Sequence, residues 1–385
     1  MEVHLAGLFD DAPVGSDRFT GGQSAADAAL LRFTVSGYAS SRNEVHPAER
    51  RGASGLSPWI RHGLLSLPRV WDAVEGGPSK DVRKFRDELL WQEYARHLYA
   101  RVGRGSGSDL RMTASFHDDA QPWPREMACV DASLTELERD GWLVNQSRMW
   151  LASDWAVRHR ARWQDGEDYF FRHLLDGSRA ANRLGWQWVA GRATGRPYGF
   201  SRQQVERRAP GLCRTCPLSD ACPIADWPED PPLTPVDAAL LSRHDGQATA
   251  GPAAPRHTGT PDAVWLTAES LGDADPALSA HPDLPAVFVF DAPLLSKLRL
   301  SAKRLIFLAE ALADLGRRRA IEVRLGHPTE ELAGRPLATT FAPVPGFRSR
   351  ATHLDVATLH PWPWLVQPNS GSVASFSAWR RSSVR

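Results

Sequence analysis

Nowhere in the 385 residues is there an apolar run of about 18, the length that a membrane-crossing helix needs. The opening MEVHLAGLFDDAP lacks the basic and then apolar order of a signal peptide, so the expectation is a soluble, cytoplasmic protein with no membrane partner. An excess of one charge is missing too. With 46 Lys and Arg against 45 Asp and Glu the net charge is +1, so any nucleic acid must be held by a local basic surface. Cysteine is scarce at four residues, which in a cytoplasmic chain argues against a disulfide framework. No G-x-G-x-x-G follows the strand-like runs, and a dinucleotide cannot be placed there by motif.

What is present describes a globular chain long enough for two domains, with 42% hydrophobic and 24% charged residues. From Ser24 to about Gln204 the pattern is helical. FRDELLWQEYARHLYARV (85–102) spaces Phe85, Leu89, Trp91, Tyr94, His97 and Leu98 at three- and four-residue steps, as an amphipathic helix requires. A helix break is expected at Asp140-Gly141. Residues 228–261 are rich in Pro, Gly, Ala and Thr and read as a linker, with room for a short helix in 235–244. Beyond it the period changes. AVWLTA (263–268), AVFVF (286–290) and AIEVRL (320–325) have strand length, and SAKRLIFLAEALADLG (301–316) has helical spacing, which predicts a parallel α/β sheet.

Three of the four cysteines form a C-x2-C-x5-C cluster, Cys213, Cys216 and Cys222, with proline after the second and third. Thiolates at this spacing suit one iron-sulfur cluster or one zinc ion, and Cys129 is the remaining cysteine for a fourth ligand. Free or redox-active thiols are the other reading. Fifteen tryptophans, most in the first 230 residues, fill core space or, for a few, form an array around a cofactor.

DGSRAANRLGWQW (176–188) resembles the flavin-binding signature of the cryptochrome/photolyase family. YASSR (38–42), ASGLSPWIRHGLLS (53–66), ELLWQE (88–93), GWLVNQSRM (141–149) and WQDGEDYF (163–170) match further family blocks in the same order. The resemblance implies an α + α/β architecture: an all-helical FAD-binding domain over 1–245 carrying the cysteine site, a linker over 246–261, and a small parallel-sheet, antenna-like α/β domain over 262–385. VWLTAESLGDADPALSA (264–280), AVFVFD (286–291) and GSVASFSAWRR (371–381) are similar to the antenna domain that normally comes first, so the chain resembles a circularly permuted member. No antenna chromophore is identified by it.

The same resemblance assigns residues. Tyr38, Arg42 and the loop of Ser54, Leu56 and Ser57 would hold the FAD phosphates and ribityl chain, although Ala53 stands where the family usually has Thr. Arg148 and Asp176 match the ion pair beside the isoalloxazine, and Asn182 the residue facing N5. Trp186 and Trp163 match inner members of the electron relay, with Trp123, Trp150 and Trp155 as candidates for the outermost one. Glu88, Trp91, Asn145, Met149 and Trp188 fall on positions that contact a flipped-out cyclobutane pyrimidine dimer, where aromatic walls and a carboxyl or amide are needed. Core packing would account for Trp91 or Trp188 taken singly. Gln92 replaces an Arg that commonly follows the Trp, and Val144 replaces a histidine used on the other ultraviolet photoproduct. In the family's iron-sulfur branch a cysteine placed like Cys129 joins three after the flavin signature, which implies a 4Fe-4S cluster. The function implied is a light-dependent lyase acting on pyrimidine dimers in damaged DNA. A cryptochrome-like photoreceptor and a flavin redox enzyme on a small substrate are the alternatives, and the oligomeric state is open.

Overall fold

The computed structural model describes residues 4–226, 230–242 and 250–383. Its first part is helical: α1 (Gln23–Arg32), α2 (Ser57–Arg61), α3 (Ser79–Val102), α4 (Ala128–Asp140), α5 (Asn145–Ser153), α6 (Trp163–His173), α7 (Arg179–Val189) and α8 (Arg202–Arg208). In α3, Val82, Phe85 and Leu89 form the expected buried stripe in the first half, while Glu93, Tyr94, Ala95, His97, Leu98, Tyr99, Arg101 and Val102 bury the second half on most sides and Trp91 is only half-buried. Gly103, at φ 61°, ends the helix in a conformation that a side chain disfavours. The break at 140–141 is real: Gly141 is left-handed, at φ 65° and ψ 25°, and donates its N–H back to Leu137. Ser178 caps α7 by accepting the Ala181 N–H at 3.3 Å. Helix α7 packs against α3, α5 and α6, so the elements that carry the expected site residues meet on it.

A short antiparallel ladder joins β1 (Met112–Thr113) to β2 (Thr234–Pro235). The larger sheet holds β3 (Arg256–His257), β4 (Ala263–Leu266), β5 (Ala286–Asp291), β6 (Ile321–Gly326), β7 (Leu337–Thr340) and β8 (Thr358–His360), in the order β3-β8-β7-β4-β5-β6. Every pairing is parallel except β3 on β8. All of β4 and all of β5 up to Phe290 are buried, as strands covered on both faces must be. Helices α9 (Pro276–Ala280), α10 (Ala292–Leu298) and α11 (Ala302–Leu315) accompany the sheet.

Two features depart from the sequence expectations. Arg256 and His257, inside the stretch read as a linker, form the edge strand β3; residues 246–249 of that stretch lie outside the described residues. The segment 371–381, expected to close the α/β part, instead lies on α3. Its helix α12 (Phe376–Ser383) buries Trp379, whose indole donates to His97 at 3.2 Å, and the Tyr94 hydroxyl donates to the Val373 carbonyl at 2.9 Å. There Phe376 and Trp379 pack into an aromatic and aliphatic cluster with Leu90, Tyr94 and Leu98 of α3.

The helical part and the sheet share one apolar core, in which Leu56, Leu65 and Phe85 join Val264, Phe288 and Leu305. Their backbones touch at two glycines. A β-carbon on Gly63 would stand 2.2 Å from the Glu269 carbonyl oxygen, and one on Gly272 would stand 2.1 Å from that of Gly63. Beside them the buried His62 ring lies between the Ala268 carbonyl at 2.6 Å and the Leu175 carbonyl at 3.1 Å. Among the described residues no helix is long and apolar enough to cross a membrane.

Candidate functional site

Arg148, on α5, and Asp176, in the turn between α6 and α7, form a two-pronged pair, with Nη1 donating to Oδ1 at 3.1 Å and Nη2 to Oδ2 at 2.8 Å. The Arg148 Nε donates to the Leu143 carbonyl at 3.0 Å, and the Leu175 N–H donates to Gly141 at 2.8 Å, so the loop after α4 fixes both partners. Asp176 is only 7% exposed, which excludes a solvated surface pair. On α7, Asn182 and Trp186 are four residues apart and share a face. Both are buried, and neither the Asn182 Nδ2 nor the Trp186 Nε1 has a hydrogen-bond partner. Buried donors without partners are uncommon in a finished interior and suit a ligand with acceptor atoms.

The residues expected near the phosphates sit together in part. Tyr38 is buried edge-on against Phe85 at 5.0 Å, and burial pushes its phenol well above the ordinary range. Ser54 accepts the Leu56 N–H at 3.4 Å, Leu56 is fully buried, and the Ser57 hydroxyl accepts the Trp142 indole N–H at 3.0 Å. Arg42 is drawn aside. Its Nη1 donates to the Ala39 carbonyl at 2.9 Å, and its Nε donates to Glu88 at 3.3 Å.

On the lesion side, Glu88 also takes Lys84 Nζ at 2.7 Å, an i, i+4 pair that spacing alone predicts. Trp91, one turn further along α3, stacks on Phe376 with ring centroids 3.9 Å apart and planes 12° from parallel. No local signal pointed to Phe376, because the contact spans most of the chain. Asn145 opens α5 and its Nδ2 lies 3.5 Å from the Met149 sulfur. Trp188 is 37% exposed and leans on Tyr198 at 5.8 Å. The five expected lesion contacts thus fall into three groups: Glu88 with Trp91 on α3, Asn145 with Met149 on α5, and Trp188 at the end of α7.

The tryptophans sort themselves by contact. Trp186 meets Trp155 at 6.3 Å, and Trp155 meets Trp123 at 4.5 Å. Phe170 provides a parallel link, 5.1 Å from Trp186 and 6.0 Å from Trp123. Trp155 lies in a π-helical turn, Asp154–Arg158, and Trp123 has φ of 62°, a strained conformation for an aromatic residue. The Asp154 carboxylate, accepting the Trp123 N–H at 2.9 Å, and the Leu151 carbonyl, accepting the indole at 2.8 Å, hold Trp123 there. Trp150 is fully buried against Phe200. Trp163 donates its indole N–H to Asp109 at 2.8 Å.

Cys129, Cys213, Cys216 and Cys222 line one cavity with Met127, Val205 and Ile224. The Ala128 N–H points at the Cys216 sulfur at 3.4 Å. Burial, aided by Cys213 and Cys216, pushes the Cys129 thiol up to about 12, and burial raises Cys213 as well. Among the described residues, no three His, Cys, Asp or Glu side chains are placed to share one metal ion.

Residues 85–205 match the family described as the FAD binding domain of DNA photolyase. A deoxyribodipyrimidine photo-lyase of Synechococcus is 31% identical over 194 residues, covering 44% of this chain and 38% of that protein. Its counterpart in Agrobacterium fabrum is 33% identical over 193 residues, covering 46% and 40%. The chain thus spans about two fifths of the length of the curated relatives it matches. Among solved structures, a bacterial class III photolyase from Agrobacterium tumefaciens overlays with a TM-score of 0.40 at 31% identity, covering 46% of this chain and 39% of that one. A Synechocystis cryptochrome overlays with a TM-score of 0.45 at 22% identity, covering 52% and 46%. Residues 85–205, in the helical part of the chain, are therefore similar to the FAD binding domain of DNA photolyase.

Proposed function

We propose that the chain is a photolyase-like flavoprotein whose helical part holds FAD against α7 and acts on cyclobutane pyrimidine dimers in damaged DNA. The observation that carries this reading is the half-buried Arg148–Asp176 pair together with two unpartnered donors, Asn182 Nδ2 and Trp186 Nε1, on the helix bearing the flavin signature. FAD, when bound and reduced, supplies the light-driven electron. The protein's own groups do the rest. Asn182 offers an N–H to a flavin acceptor, and Arg148 with Asp176 forms a fixed, internally neutralised pair that steadies charge beside it. Ser54, Leu56, Ser57 and Tyr38 line the phosphate and ribityl side, with Arg42 joining once it leaves Glu88. Trp186, Trp155 and Trp123 give a continuous aromatic route for re-reduction, supported by their contacts, with Trp163 beside it on α6. Glu88, Trp91, Asn145, Met149 and Trp188 form the dimer pocket in this reading. The test is photoreduction, followed by dimer loss from single- and double-stranded DNA under blue light against a dark control. No binding and no dimer loss with fully reduced FAD overturns it.

A photoreceptor reading is favoured by one specific feature: Arg42 and Lys84 already bind Glu88, and Phe376 already covers one face of Trp91. A flavin that photoreduces without repair is its expected outcome.

We also read the four cysteines as ligands of a 4Fe-4S cluster that ties α4 to the loop after α8. Support comes from their convergence on one cavity. Iron and sulfide analysis after anaerobic purification tests this, and stoichiometric zinc without iron overturns it. Finally, the order of the parts, helical first and α/β second, is read as a circular permutation of the family's arrangement, with the boundaries 1–245 and 262–385 moved to include β3 in the sheet and α12 on the helices.

A further inference from the structure

His281 and His360, 79 residues apart in sequence, bring their Nε2 atoms to 3.2 Å of each other. Zinc–imidazole bonds of about 2.0–2.1 Å at a tetrahedral ion place two nitrogens roughly 3.3 Å apart. The pair sits where α/β sheets commonly bind ligands, beyond the carboxyl ends of parallel strands. His360 ends β8 and is 4% exposed, and His281 follows α9, which packs on β7 and β8. A third imidazole is on the same face. His257 of β3 lies opposite Thr358, touches its hydroxyl at 3.2 Å, and is diagonal to His360 two residues on. His257 is exposed, so its ring is free to swing without disturbing the core. The charged and titratable groups that act on the pair from surrounding elements are His257 and Arg319, and Arg319 is anchored on the Leu278 and Leu284 carbonyls.

We propose that His281 and His360, joined by a reoriented His257, form a divalent transition-metal site of the zinc type on the α/β part. Two ligands stand in place and the third arrives by rotation, which is why no three-residue group is preformed. Uncharged imidazoles favour zinc, nickel or copper over magnesium or calcium.

The experiment is equilibrium dialysis of the full chain against zinc chloride after chelator treatment, with His281→Gln, His257→Gln and Cys213→Ser variants. None of these alters His360, whose burial makes its replacement a folding risk. The expected result is one zinc per chain in the wild type and in Cys213→Ser, with affinity at least tenfold weaker in each His variant. No uptake, or uptake lost only in Cys213→Ser, overturns the site. Wild-type affinity in His257→Gln overturns the third ligand. Neither result bears on dimer repair, so the two readings fail separately.

Discussion

The helical part and the sheet treat their buried polar atoms differently. Around α5 and α7, Asn182 Nδ2, Trp186 Nε1, Ser147 Oγ and Trp150 Nε1 are buried without hydrogen-bond partners. Within the sheet, Asp275 Oδ1 accepts from Ala277 N, Leu278 N and the Thr340 hydroxyl, at 3.0, 3.2 and 2.8 Å, and Thr339 donates to the Trp265 carbonyl at 2.9 Å. The exceptions there, Ser301 Oγ, Arg304 Nε and Trp362 Nε1, lie on α11 and on the tail beyond β8 rather than in the strands. Strand-borne polar groups are thus completed by the chain itself, while several around α5 and α7 have no partner within it.

The largest expected effect comes from joining the two regions badly. Gly272→Ala would drive a methyl into the Gly63 carbonyl, a backbone contact that cannot rotate away, and is expected to destabilise by about 3 kcal/mol. Urea unfolding followed by tryptophan fluorescence reads this. Because the core is shared, a single transition should move as a whole. If only one of two separate transitions shifted, the regions would be energetically independent.

A pair of substitutions tests the contrast itself. Thr340→Val leaves Asp275 and the Ala277 N–H each short of a partner in a dry site and is expected to cost about 1–3 kcal/mol. Asn182→Leu removes a donor that has no partner within the chain, so the flavin-free protein should lose less than about 1 kcal/mol while FAD binding weakens. Equal stability losses would erase the distinction drawn between the regions.

His62 tests the boundary by pH. Burial, with Arg61 next to it, lowers this imidazole to about 3, although carbonyls at both ring nitrogens favour the charged form. The unfolded chain takes up its proton near 6.5, so the folded state is favoured above that pH and loses this contribution as pH falls from 6.5 toward 3. His62→Gln keeps one amide donor for a carbonyl and does not titrate. The wild-type advantage over this variant should therefore shrink across that window in denaturant titrations. A constant difference would mean that folding does not lower His62 below its unfolded value.

Much of this was legible in the sequence because it was local. The 3.6-residue spacing of 85–102 gave a buried stripe in the first half of α3, Asp140-Gly141 gave a left-handed stop, and the apolar runs at 263, 286 and 320 became β4, β5 and β6. What escaped was set by partners far along the chain. LATT and TLH (β7 and β8) have too few apolar residues to register as strands, and Arg256–His257 owes its conformation to β8. Within the site, Arg148 and Asp176 were named from two separate blocks, GWLVNQSRM and DGSRAANRLGWQW, and their contact is seen only in the folded chain. The diversion of Arg42 onto Glu88 and of Phe376 onto Trp91 required the folded chain.

The contact of Phe376 with Trp91 asks whether the proposed lesion-side wall belongs to the open region or the self-completed one. Trp91 meets Phe376 almost face to face, and the tail is further tied to α3 through Tyr94, His97 and an Arg380–Asp87 ion pair. One face of Trp91 is thus supplied by its own chain, and only the other face and its edge remain for a base. Phe376→Ala removes the stack but keeps Trp379 buried and the other ties intact, so stability should fall by about 0.5–1.5 kcal/mol beyond the lost area. If Phe376 acts by holding Trp91 in a binding orientation, affinity for dimer-bearing DNA should fall several-fold while flavin content and photoreduction rate stay unchanged. Binding titrations with a fluorescent dimer-containing oligonucleotide, run beside Trp91→Ala, separate the cases. A rise in affinity on losing Phe376 would show instead that the tail competes for the Trp91 face, which would move this wall to the self-completed side of the comparison and favour the photoreceptor reading.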